Sequence, residues 1–106
     1  MISVIILTKN ESANLPTCLS SLEKLQAKIF IVDSGSTDDT LAIAKEYGCE
    51  IYEHPFKNHA EQLNWAVENL PIESPWVMRL DADERLTPEL VTEINTELPN
   101  AGAGIG

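Results

Sequence analysis

The sequence predicts an α/β fold: a four-stranded parallel sheet in the order 3-2-1-4, enclosed between layers of helix. Three observations predict it. Apolar runs of strand length alternate with segments of helical periodicity in the order βαβαβαβα, and that alternation implies a parallel sheet with right-handed crossover helices. The run "ISVIIL", Ile2 to Leu7, is the longest unbroken one, which suits a central strand buried on both faces. Polar, acid-bearing stretches follow the strands. They gather at one sheet edge if the fourth strand crosses to the far side of the first and leaves a crevice between.

Each element has its own signature. After the first strand, Leu15, Cys18, Leu19, Leu22 and Leu25 recur at helical spacing. Ser12 or Asn14 can cap that helix, and Pro16 sits in its first turn, where its missing N–H costs nothing. "KIFIVD", Lys28 to Asp33, reads as a second buried strand. "SGSTDD", Ser34 to Asp39, turns the chain into a second helix whose positive end suits Asp38 and Asp39. Leu41, Ile43, Ala44 and Tyr47 form its apolar face, and Gly48 ends it. "CEIYEH" is a short third strand. A third helix is expected from Asn58 to Leu70, with Leu63, Val67 and Leu70 inward, and "PWVMRL" is the fourth strand. Thr87 caps and Pro88 opens a fourth helix carrying Leu90, Val91, Ile94 and Leu98 on its apolar face, with Pro99 as its stop. Residues 100–106, within "NAGAGIG", read as a flexible tail or a truncation point.

Composition sets bounds. A length of 106 residues implies one domain at most, and 43% hydrophobic against 23% charged residues permits a core. The net charge of -10 argues against nucleic acid or an anionic membrane as the main partner. It also means that a phosphate-bearing ligand needs a local positive charge. Cys18 and Cys49 form no C-x-x-C pair and read as reduced thiols of a cytosolic protein. Met1 leads straight into a strand without a basic segment or cleavage site, which reads against a signal peptide. No apolar run is long enough to span a bilayer.

The chemistry centres on "VMRLDADERL", Val77 to Leu86, where a core strand ends in Asp81, Asp83 and Glu84. Like charges repel, and a helix cap needs one side-chain acceptor, a role Thr87 already fills. Asp81 and Asp83, two apart on extended chain, project to one side. Two hard oxygen donors so placed can share Mg²⁺ or Mn²⁺, with water and ligand phosphates completing the shell. A cation bridging them to a diphosphate supplies the charge that the chain lacks. Other motifs fit worse. An EF-hand loop from Asp81 needs Gly where Leu86 stands and Glu where Thr92 stands. No Walker phosphate loop occurs, and the tail is not G-x-G-x-x-G. His54 and His59 lack ligand spacing and read as loop or cap residues. Glu11, Asp38 and Asp39, taken alone, read as capping acids.

Together, "SVIILTKNESANLPTCLSSL", "FIVDSGSTDDTLAIAKEYG", "HAEQLNWAV" and "WVMRLDADERLTPEL" resemble the N-terminal half of family 2 glycosyltransferases, nearest the bacterial lipopolysaccharide or lipooligosaccharide core β-glucosyltransferases. The resemblance implies a three-layer αβα Rossmann-like parallel sheet of the GT-A type. It implies a nucleotide-sugar donor, usually UDP-linked, bound with a divalent cation (Mg²⁺ or Mn²⁺). By position, Thr8, Asn10 and Glu11 would lie against the nucleoside, with Asp33 and Ser34 near the base and ribose. Gln62 and Asn64 would approach the donor from the third helix. Asp81-Ala82-Asp83 would be the Asp-x-Asp element, Asp81 towards the ribose or sugar and Asp83 on the metal.

Two departures bear on the donor. Many members carry two acids where this chain has Asp33 and Ser34, which leaves the choice of base open. Leu63 stands where a basic residue is common, so diphosphate neutralisation falls to the metal, helped by Lys57 or Arg79. The family's second half carries the acceptor site and the catalytic base, so this chain reads as a donor-binding half of an inverting enzyme. Glu84 reads as ordering its loop or capping the next helix. The expected acceptor is a glycan or lipopolysaccharide core, at the inner face of the cell membrane. A metal-dependent phosphoryl or nucleotidyl transferase and a non-catalytic nucleotide-sugar-binding module remain alternatives. An open outer edge on the fourth strand is a place for self-association.

Overall fold

The computed structural model describes residues 2–72, 74 and 76–97. The elements are β1 (Ile2–Thr8), α1 (Leu15–Ser21), β2 (Ala27–Asp33), α2 (Thr40–Glu46), β3 (Glu50–Glu53), α3 (His59–Asn69), β4 (Trp76–Asp81) and α4 (Pro88–Glu97). All strand pairs are parallel, and the order is β3-β2-β1-β4, as expected. The register aligns Thr8 with Asp33, Asp33 with Glu53, and Leu7 with Asp81. Every strand therefore ends near one line, and the polar loops leave from it together.

Alternation along the strands makes two cores. Ile2, Val4 and Ile6 of β1 face one side with Ile31 and Leu80, against Leu15, Cys18 and Leu19 of α1, Ala44 of α2 and Val91 of α4. Ile5, Phe30 and Val32 face the other side, against Ala66 and Leu70 beside α3. Three layers result, with α1, α2 and α4 on one face and α3 on the other. Each fully buried Leu or Ile stabilises by about 1.5–3 kcal/mol, so β1, buried on both faces, anchors the sheet.

Several local expectations need correction. Val67 is 53% exposed. The face of α3 that meets the sheet carries Gln62 and Ala66, one position out of phase with Leu63 and Val67. Small Ala66 lets the helix lie close, and Gln62 is drawn inward by hydrogen bonds that periodicity does not register. Leu90 is 40% exposed; Val91 carries the buried face of α4. Asn14 occupies the N-cap position of α1 and Asp39 that of α2, but neither side chain makes a cap bond. Leu22 and Leu25 are buried, as expected, but lie beyond the end of α1.

Other details match. Thr87 Oγ1 accepts from the Leu90 N–H, the capping bond expected of it. Asn58 caps α3 by accepting from the Glu61 N–H at 2.8 Å. Gly48 follows α2 with φ 75°, a left-handed conformation that glycine adopts freely. Cys18 and Cys49 are free thiols. Leu98, Pro99 and the tail lie outside the described residues. Among the described strands, β4 pairs only with β1, and its other edge is open. No helix among the described residues is long and apolar enough to cross a membrane.

Candidate functional site

The loops after β1 and β2 are stitched together. Asp33 ends β2 with no exposed surface. It accepts hydrogen bonds from Thr8 Oγ1 at 2.7 Å, Ser36 Oγ, the Gly35 N–H at 2.9 Å and the Ser36 N–H at 2.7 Å. Burial alone would raise its pKa. The bonds from Ser36, Thr8 and Gly35 outweigh burial and hold the carboxyl below its ordinary value. Asp38 plays a matching part at the start of α2. It accepts from the Thr40 hydroxyl, the Thr40 N–H and, at 3.2 Å, the Ser12 N–H, and these bonds lower its pKa.

Asn10 bridges the same loops. Its N–H donates to Ser36 Oγ at 2.9 Å, and its Oδ1 accepts from the Thr37 N–H at 2.7 Å. It holds φ 53°, a left-handed conformation that asparagine tolerates better than most residues. Lys9 Nζ donates to the Ser34 and Gly35 carbonyls at 3.3 and 2.8 Å. The Glu11 N–H donates to Thr40 Oγ1 at 2.9 Å. These bonds use the loop backbone and leave the Glu11 carboxylate beside a cavity.

That cavity, about 490 Å³, opens at the carboxyl edge of β1 and β2. Thr8, Lys9, Glu11, Ser34 and Gln62 give it polar walls, and Leu7, Pro55, Phe56 and His59 complete them. Gln62 is 1% exposed. Its Nε2 donates to the His54 carbonyl at 3.1 Å, so its Oε1 accepts from His54 Nδ1 at 2.7 Å, which places the imidazole proton on Nδ1. His54 stacks on Trp65 at 4.3 Å between centroids. The strand-end histidine thus fixes the buried amide. A second cavity, about 530 Å³, lies away from these loops between the end of α1 and α4.

The acidic turn stands on the other side of β1. Asp81 and Asp83 are not on extended chain as expected, because the chain folds back after β4. The Glu84 N–H donates to the Asp81 carbonyl at 2.9 Å, and the Asp81 N–H donates to Glu84 Oε1 at 2.9 Å. Glu84 therefore clasps the turn. Arg79 lies 3.2 Å from Asp81 Oδ1 in an exposed ion pair, worth little by itself. Asp83 is exposed. Beneath the turn, Cys18 Sγ approaches the Asp81 carbonyl at 3.8 Å. Burial pushes the Cys18 thiol up to about 11, with the charges of Glu84 and Asp83 adding to it. Among the described residues no group of three or more His, Cys, Asp or Glu is set to hold a metal ion. Asp81 and Asp83 are the carboxylates of this turn that could give oxygen to a hard cation, whose remaining oxygens would come from water and ligand.

Of the residues expected at the site, Thr8, Glu11, Ser34 and Gln62 line the cavity. Asp33 is sealed behind Thr8, and Asn10 is committed to the loop stitching. Asn64 is exposed and stands about 200° round α3 from Gln62, so the two do not share the cavity. Lys9, Phe56 and His59 were missed, as was the part of His54 in holding Gln62. A lone aromatic in the polar loop "HPFKN" was the available signal for Phe56.

Comparison with known proteins adds to this geometry. The chain is 39% identical over 93 residues to an uncharacterized glycosyltransferase of Rickettsia felis, covering 88% of this chain and 32% of that protein. It is 43% identical over 95 residues to the lipopolysaccharide core biosynthesis glycosyltransferase LpsC of Rhizobium meliloti, covering 84% and 34%. It spans about a third of the length of these curated relatives. Among solved structures, S. aureus TarS 1-349 in complex with UDP-GlcNAc superposes with a TM-score of 0.74 at 23% identity, over 93% of this chain and 31% of that one. The mannosyltransferase PcManGT from Pyrobaculum calidifontis, in complex with GDP-Man and Mn2+, gives 0.74 at 20% identity, over 92% and 32%. These two likenesses concern the fold, which is of the GT-A type. Residues 3–105 match the family model of "Glycosyl transferase family 2", nearly the whole chain, and so the chain belongs to that family.

Proposed function

We propose that this chain is the donor-binding part, residues 1–106, of an inverting glycosyltransferase. The enzyme moves a sugar from a nucleotide-sugar, UDP-linked by preference, to a glycan or lipopolysaccharide-core acceptor. The observation that carries the reading is the pairing, on one sheet edge, of a cavity of about 490 Å³ with an exposed acidic turn. The first has room for a nucleoside and the second suits a metal-bound diphosphate. UDP-GlcNAc bound to TarS and GDP-Man with Mn2+ bound to PcManGT support the donor class. The likeness to LpsC, a lipopolysaccharide core biosynthesis glycosyltransferase, supports the acceptor class; a cytoplasmic place at the inner face of the cell membrane is part of the same proposal.

The residues divide the work. Glu11 and Ser34 take the nucleoside, while Thr8 and Gln62, buried and already hydrogen-bonded, form its walls, and Asn10 and Asp33 hold the loops that shape its pocket. Asn64, exposed on α3 about 200° from Gln62, is given no part in the pocket. Asp81 faces the ribose or sugar, and Asp81 and Asp83 hold the cation. Mg²⁺ or Mn²⁺ bound there would neutralise the diphosphate and stabilise it as a leaving group. Arg79, 3.2 Å from Asp81 Oδ1, adds positive charge there, whereas Lys57 follows β3 on the far side of β2 and β1. Glu84 is spent on the turn, so the base that deprotonates the acceptor is assigned outside the described residues.

Binding measurements test the reading. UDP should bind with Mn²⁺ and lose most affinity in excess EDTA. Asp83→Ala should remove most of the Mn²⁺-assisted binding, a loss on the order of a few kcal/mol. Glu84→Ala should cost less, because it loosens the turn without removing a ligand. Equal binding of UDP in EDTA, or tighter binding of ATP and phosphate than of UDP, overturns the assignment.

A further inference from the structure

We propose that Phe56 is the stacking platform for the nucleobase of the donor. This rests on the donor-binding reading and adds a residue to it. Among the described residues three large apolar side chains are markedly exposed: Phe56 at 48%, Val67 at 53% and Leu90 at 40%. Val67 and Leu90 border neither cavity, whereas Phe56 lines the one of about 490 Å³. A half-exposed aromatic ring bordering a cavity is unspent apolar surface, and a ligand that covers it gains by doing so.

Phe56 is also held in place. It meets the ring of His59 edge-on, with centroids 5.2 Å apart and planes at 75°. His59 opens α3, and Asn58 caps that helix. Pro55 precedes Phe56 and fixes its own φ. The cavity thus has an apolar corner at Leu7, Pro55 and Phe56, and polar groups at Thr8, Ser34 and Glu11. A flat ring with apolar faces and polar edges matches that division, and a nucleobase is such a ring.

The sheet order fixes which end of the donor lies here. Phe56 follows β3, and the acidic turn follows β4, with β2 and β1 between them. Three strand spacings separate the two loops by about 14 Å. A nucleoside diphosphate is extended over a comparable length. With the diphosphate at Asp81 and Asp83, the base reaches the β3 side, where Phe56 stands.

The test compares two probes, UDP and inorganic pyrophosphate, each titrated with Mn²⁺ into the protein and its Phe56→Ala and Phe56→Trp variants. Phe56→Ala should weaken UDP about tenfold to a hundredfold, the range expected for losing one base–aromatic stack. It should leave pyrophosphate binding unchanged. Phe56→Trp should retain UDP, and its added indole should be quenched when UDP binds. The exposed position predicts that both variants fold, and thermal melts check this. If the unmodified protein binds UDP and Phe56→Ala binds it equally well, the platform is overturned and the donor reading stands. If Phe56→Ala loses UDP and pyrophosphate alike, Phe56 shapes the loop and the platform is again overturned. If the unmodified protein binds no nucleoside diphosphate, the donor reading fails and takes the platform with it.

Discussion

Asp33 is a carboxylate with no exposed surface, and its four hydrogen-bond donors come from Thr8 at the end of β1 and from Gly35 and Ser36 in the loop after β2. Its charge is therefore part of the fold. The folded state depresses its pKa below 3.8, so the unfolded chain takes up the proton more readily. The resulting stability is fully present above the unfolded value and is lost as pH falls through the lower, folded one. Asp33→Asn should cost about 3 kcal/mol near neutral pH, because hydrogen bonds to charge are lost and one amide N–H₂ faces buried donors. Urea midpoints measured from about pH 7 down to about pH 2 should show the gap between Asp33→Asn and the unmodified protein closing as the native carboxylate protonates. A gap independent of pH would mean that the charge contributes nothing.

At the scale of the element, α3 is the informative case. Its sequence offers Leu63, Val67 and Leu70 at ideal apolar spacing; Leu70 is buried and Leu63 packs partly against the core, but Val67 is exposed, and Gln62 and Ala66 are the buried residues within the helix. A reading by hydrophobicity assigns the interior by side-chain type. It cannot see that His54 satisfies both ends of the Gln62 amide, nor that a small side chain brings the helix closer. Two substitutions check the phase. Val67→Lys should change stability by less than about 0.5 kcal/mol, as at other exposed sites. Ala66→Leu should destabilise by about 1–3 kcal/mol, since the added methylenes must enter a packed layer. Reversed sensitivities in denaturant melts would restore the phase expected from the sequence. Gln62→Leu keeps the bulk but leaves the His54 carbonyl and ring N–H unpaired, at a cost of about 1–3 kcal/mol.

Over the whole molecule, the strand order was legible because length, apolarity and β-branching all pointed to β1 as the centre. Convergence of the loops followed from that order, and so did the position of Asp81 and Asp83. What escaped was the difference between residues that line the cavity and residues that build it. Asp33 and Asn10 look like ligand contacts in a sequence, since a carboxylate or amide after a strand suits either part. Only the bonds across the two loops reveal that they are already engaged. The same accounting decides what residues 1–106 can do alone. An inverting transfer needs a carboxylate free to take the acceptor proton. Asp33 is saturated, Asp38 is held by Thr40 and Ser12, Glu84 clasps the Asp81 turn, and Asp81 and Asp83 are assigned to the cation. Glu11 lines the cavity proposed for the nucleoside and not the acidic turn proposed for the diphosphate. Residues 1–106 should therefore bind donor without transferring its sugar, because positioning and deprotonating the acceptor account for much of such an enzyme's rate. Slow hydrolysis of the donor is compatible with this, since water needs no acceptor site. The measurement is incubation with radiolabelled UDP-sugar, Mn²⁺ and a lipopolysaccharide-core acceptor. Label in the acceptor at about 1 s⁻¹ or faster would place a base within these residues. Glu84→Gln would then be the first variant to make, because its clasp on Asp81 would have to open during turnover.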